Sequence, residues 1–105
     1  MKFLIELNDL PLVERSRLAT ETGDTELLKV LAEDVDWRIR EEVAKSDKVS
    51  AEILQKLAED VDEDVRISVA ENDRVTVDTL LKLILDDDND VAKSAFITYR
   101  DKMKK

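Results

Sequence analysis

The feature that most limits what this chain can fold into is a segment that recurs. Residues 57–70, LAEDVDEDVRISVA, are preceded by residues 31–44, LAEDVDWRIREEVA, and followed by a divergent copy at 83–96, LILDDDNDVAKSAF. The starts at Leu31, Leu57 and Leu83 set a period of 26 residues. A fixed period of this order marks a stack of like supersecondary units, each too small to hide its apolar side alone. With one Gly and one Pro in 105 residues the chain has little turn chemistry for hairpins, so each unit is read as two short helices.

Start signals and apolar spacing place those helices. Asp24, Ser50 and Thr76 hold equivalent positions, and each is a side chain that caps a helix start. The spacing predicts first helices over 25–32, 51–58 and 77–85. Their buried stripes are Leu27, Leu28 and Leu31; Ile53, Leu54 and Leu57; and Leu80, Leu83 and Ile84. Asp36, Asp62 and Asp88 are the expected caps of second helices over 37–45, 63–71 and 89–101. Ile39 and Val43, Val65 and Val69, and Val91 and Ala95 are their buried pairs, four residues apart. Val49 and Val75, one residue before a cap, are candidate hydrophobic staples.

The opening unit is less regular. Phe3, Leu4 and Leu7 align with Ile53, Leu54 and Leu57 as a short first helix. Pro11 is expected in the first turn of a second helix carrying Leu12, Val13 and Leu18. The chain thus reads as a single domain, 1–105, of four units at about 1–23, 24–49, 50–75 and 76–105. Stacking the pairs joins their stripes into one core. The basic tail suits the negative end of the last helix.

Composition removes several function classes. Without Cys or His there is no thiolate or imidazole metal site, no disulfide, and no side chain titrating near neutrality in its ordinary state. A net charge of −9 disfavours nucleic acid and anionic membrane surfaces. No apolar run exceeds three residues, so nothing reads as a membrane span. Met1 to Ile5 open like a secretion signal, but Glu6, Asn8 and Asp9 interrupt it. A cytoplasmic location without a cofactor is the expectation.

The pattern D-x-x-x-x-V-R-x-x-V-A, followed by a polar break and a capped L-L-x-x-L-A helix, is similar to the variant leucine-rich repeats, near the HEAT-like helical repeats. Asp34, Ile39, Arg40, Val43, Ala44, Leu54, Leu57 and Ala58 carry it in one copy. Asp60, Val65, Arg66, Val69, Ala70, Leu80 and Leu83 carry it in the next. The resemblance covers residues 24–96 well and the first unit weakly. It implies an all-α, right-handed solenoid in which one helix of each repeat is short or 3₁₀-like. It also implies a role in protein–protein interaction. The iron–sulfur cluster of one branch does not carry over, because its cysteines are absent, and the acidity speaks against the DNA-binding role of some HEAT-like relatives.

Four features invite a functional reading. Arg40 and Arg66 recur one unit apart, with Arg15 extending the column. They read as a structural ladder pairing with loop Asp residues or carbonyls, or else as an anion-binding stripe. Trp37 stands where other units carry Glu63 and Asn89, so it is either an interaction anchor or a shield folded over the core. Ile67, with Glu41 and Lys93 as counterparts, lies with Arg38, Asp64, Asp90, Lys45 and Glu71 on the stripe opposite the buried pairs. That stripe is a candidate concave face, or a solvated one with a stray Ile. Asp86, Asp88 and Asp90 alternate like the start of a calcium loop. Val91 and Ile97 stand where such a loop needs Gly and Glu, so helix capping explains the acids better.

The expected function is therefore a non-enzymatic interaction module or scaffold. It would bind a basic or mixed protein partner through Trp37, Arg38, Glu41, Asp64 and Ile67, with Arg40 and Arg66 structural. The alternative is a subunit that assembles with itself, as a homo-oligomer through Phe96, Ile97, Tyr99 and Met103 on the last helix. A carboxylate-based enzyme is a third reading, with no pocket signature behind it.

Overall fold

The computed structural model describes residues 7–104. Seven helices lie wholly within them and no strand occurs among them: α1 Leu12–Glu21, α2 Thr25–Leu31, α3 Trp37–Lys45, α4 Ala51–Leu57, α5 Glu63–Glu71, α6 Val77–Ile84 and α7 Asn89–Met103. The protein is all-α. Phe3 and Leu4, expected in a first short helix, lie outside the described residues, whereas Leu7 is buried.

Side chains start six of the seven helices. Asp24 accepts from the amides of Glu26 and Leu27, Asp36 from Arg38, and Ser50 from Ile53. Asp62 accepts from Asp64 and Val65, Thr76 from Thr79, and Asp88 from Asp90 and Val91. Each cap is extended and satisfies amides that have no partner inside the helix. α1 departs from expectation. Pro11 sits at its N-cap, extended at ψ 153°, rather than within the first turn, and contributes no side-chain cap. Its ring fixes φ at −58°, and the amide it lacks is one a helix start does not use.

Both helices of each pair from residue 25 onward are α-helical. The tighter geometry that the repeat resemblance implied recurs as a double three-residue step at the exit of each first helix from α2 on. There Glu33 and Asp34 donate three residues back, to Val30 and Leu31. Glu59 and Asp60 repeat this on Lys56 and Leu57, and Leu85 and Asp86 on Lys82 and Leu83.

α1, α3, α5 and α7 pack side by side in chain order, and α2, α4 and α6 each lie against the second helix before them and the one after. The apolar stripes meet along this junction. Ile39, Val43, Val65, Val69, Val91 and Ala95 are fully buried, in one cluster with Leu28, Leu31, Leu54, Leu57, Leu80 and Leu83. Val49 and Val75 are buried ahead of their caps. The stripe of α6 is Thr79, Leu80 and Leu83, while Ile84 is only half-buried. Thr79 holds the place of Leu27 and Ile53, and Thr76 Oγ1, 3.0 Å away, pairs its hydroxyl. The molecule measures 43 × 26 × 21 Å. No described helix is long and apolar enough to cross a membrane.

Candidate partner-binding face

The arginine column is the most regular polar feature. Arg40 donates from Nε and NH2 to both oxygens of Asp60, at 2.7 and 3.1 Å, and from NH1 to the Asp34 carbonyl at 2.7 Å. Arg66 repeats the set one unit on, with Asp86 at 2.9 and 3.2 Å and the Asp60 carbonyl at 2.7 Å. Arg15 begins it on Asp34, at 2.9 and 3.5 Å, and on the Leu10 carbonyl at 2.6 Å. Each Asp also accepts an amide two residues on, from Asp36, Asp62 or Asp88. One carboxylate thus orders its own loop and holds the preceding second helix, while each guanidinium has all three nitrogens engaged. An incoming anion would have to displace these bonds.

The acid–base state agrees with that geometry. Hydrogen bonding to Asp60 raises Arg40 against the opposing effect of burial, and Asp86 does the same for Arg66. Burial pushes the Asp86 carboxyl up. The Arg66 hydrogen bonds, the Asp88 amide and the Arg66 charge outweigh it and hold the group below the usual carboxylate value. Of the calcium candidates above, Asp86 has both oxygens on Arg66 and Asp88 uses Oδ1 to cap the start of α7. Among the described residues no three His, Cys, Asp or Glu side chains gather as a metal would need.

The outward stripe of the second helices is less uniform. Trp37, in the first turn of α3, is 39% exposed, so its indole is part packed and part offered to solvent. Arg38 folds back on the cap of its own helix, meeting Asp36 at 2.8 and 3.0 Å in the open. That side-chain bond, then the Arg38 amide, holds Asp36 down at about 2. Glu41 is half-buried, 3.9 Å from Lys45 Nζ, and Asp64 is exposed in the first turn of α5. Ile67 departs from the picture of a stray exposed side chain. It is half-buried and packs on the core, because the helices that flank α5 in the row, α3 and α7, stand close enough to shelter it.

The structure brings Arg38 and Glu41 together in a groove of about 410 Å³ between α1 and α3, with Leu12, Val13, Ser16, Ile39 and Glu42. Trp37, Asp64 and Ile67 do not line it. Val13, 65% exposed, supplies its apolar wall. Leu12, Val13 and Ser16 were missed as site residues, although the Arg15–Arg40 alignment sets Val13 opposite Arg38 and Asp64, an apolar side chain in a charged column. A second groove, about 490 Å³ between the ends of α3 and α5, is polar, with Lys45, Asp47, Glu71, Asn72 and Arg74 along it.

No family model matches the chain, and no curated protein matches it.

Proposed function

We propose that this protein is a non-catalytic binding module, a right-handed solenoid of the HEAT-like or variant leucine-rich-repeat kind. The recurrence of the Arg–Asp bonds at the sequence period and the row of α1, α3, α5 and α7 support the solenoid reading. Its partner is a protein segment that seats an apolar side chain in the groove between α1 and α3, with Trp37 beside it on α3. The observation that carries this is Val13. It is an exposed branched apolar residue in a concave site otherwise rimmed by charge, the usual arrangement of an anchor pocket. Glu41 and Glu42 at the rim favour a partner with basic side chains beside the anchor, and Arg38 accepts an acidic one.

The test is capture on the immobilised protein, compared with Val13→Glu and Trp37→Ala. Both variants are expected to lose the same captured protein while keeping the wild-type melting midpoint. Hydrogen exchange in the complex is expected to slow over 12–16 and 37–42. A large drop in melting midpoint for Trp37→Ala would assign the indole to the core and remove it from the site.

A further inference from the structure

The flank of α7 that faces away from α5 differs from the same flank of every helix in its row. In α1, α3 and α5 that flank is marked by an arginine and, four residues on, by Ala19, Ala44 or Ala70. All three alanines are fully buried, because the next second helix packs there and a small side chain lets its backbone approach. The equivalent residues of α7 are Ala92 and Phe96. Phe96 is 53% exposed, and Met103, two turns further along the same flank, is equally so. The neighbouring α6 follows suit, with exposed Leu81 and Leu85 where α2 and α4 and their exits carry Lys29, Gln55, Glu33 and Glu59. Exposed apolar side chains thus stand on α6, its exit and α7 where the earlier units are polar or covered.

We propose that two copies of this protein pair through α7, antiparallel about a two-fold axis at Phe96. Charge selects the second copy and its direction. The entry to α7 is acidic, with Asp87 and Asp90 exposed beside Asp86 and Asp88, which already serve Arg66 and the helix cap. Its exit is basic, with Arg100 and Lys104 exposed, Lys102 donating to the Asp73 carbonyl and Arg100 lying 3.6 Å from Asp101. A helix acidic at one end and basic at the other is the complement of its own antiparallel copy, with the helix dipoles opposed as well. Phe96 is the middle residue of Asn89–Met103, so an axis there stacks Phe96 on its counterpart. It also brings Met103 to the partner's Asn89, and Lys104 to the partner's Asp88. One helix pair of this length covers less than the roughly 800 Å² per partner of a standard interface, so the dimer is reversible.

The mass of the 105-residue chain is followed by light scattering over a dilution series. It is expected to fall from twice 12.0 kDa towards 12.0 kDa on dilution. Phe96→Glu is expected to stay monomeric with an unchanged helical spectrum, since its side chain is half in solvent. Lys104→Glu and added salt are each expected to weaken the dimer several-fold. The chain has no Cys, so Phe96→Cys under oxidation is expected to give a disulfide-linked dimer, and Val13→Cys is not. A wild type that is monomeric throughout would overturn the proposal. So would a mass climbing past the dimer, or a dimer that survives Phe96→Glu. Val13→Glu leaves the mass unchanged, which separates this test from that of the groove.

Discussion

The two edges of the helix row are held in different ways. Along one edge, three loops at 34–36, 60–62 and 86–88 repeat the bonds from arginine to carboxylate and from amide to carboxylate, and the first two add one from arginine to carbonyl, which ends where Ala92 replaces the arginine. Along the other edge, where one pair leads to the next, the turns share only one bond, from an amide to the C-cap side chain two residues before it, and differ beyond that. Thr22 Oγ1 accepts the Asp24 amide, and Ser46 Oγ accepts that of Lys48. Asn72 accepts the Arg74 amide but also donates, from a buried side chain, to the Ala44 and Ser46 carbonyls at 2.7 and 2.9 Å. Arg74 reaches the Val49 carbonyl at 2.8 Å. The contrast follows from charge. A half-buried ion pair needs both partners in register at every step, whereas a neutral carbonyl accepts from any donor that reaches it.

The largest test of that contrast is Arg40→Ala. It leaves the Asp60 carboxylate and the Asp34 carbonyl sheltered without their donor, and is expected to cost about 3–4 kcal/mol in urea unfolding. Asn72→Ala strands two carbonyls but no charge, and is expected to cost about 2 kcal/mol. Equal losses would dissolve the distinction between the edges. A larger loss at Asn72 would reverse it.

How far the sequence foretold each edge follows the same division. The charged edge was legible because its residues recur: Asp34 and Asp60 stand beside the capping Asp36 and Asp62, and Arg40 and Arg66 follow at constant spacing. Period converts directly into contact when every step repeats. Asn72 was not legible, since Ser46 and Thr98 hold its place and nothing in a lone Asn tells that its amide reaches back 28 residues to Ala44. The candidate site was half legible. Arg38 and Glu41 line the groove, but its apolar wall comes from α1, where the alignment slips by one residue and hides Val13. The shelter over Ile67 depends on how closely neighbouring second helices stand, a distance that helical periodicity alone does not set.

Acid sharpens the comparison further. The folded Asp86 carboxyl lies below its unfolded value, so its stabilising contribution is complete above about pH 4 and is lost as pH falls below that. In Arg66→Ala the lowering influences of the guanidinium go, and burial, opposed only by the Asp88 amide, moves the group up from its wild-type position. The variant is then expected to lose less on going from pH 5 to pH 3, despite starting from a lower melting midpoint. A parallel pH dependence in the two proteins would show that Asp86 does not draw its ionised state from Arg66.

The smallest effect is expected two residues from the largest. Arg38 makes a bidentate pair as short as those of Arg40, yet its own guanidinium is exposed where that of Arg40 is sheltered, and solvent and salt screen the attraction. Arg38→Ala is therefore expected to leave the melting midpoint where it is. What changes is the Asp36 carboxyl, followed by NMR through an acid titration. It is expected to rise from about 2 part of the way to the ordinary range, because the backbone amide of residue 38 goes on donating to it. Added salt is expected to raise it in the wild type as well. A stability loss like that of Arg40→Ala would mean that exposure does not separate the outward stripe from the charged edge. An unchanged midpoint leaves Arg38 able to give up its own cap for a partner's carboxylate at little cost to the fold.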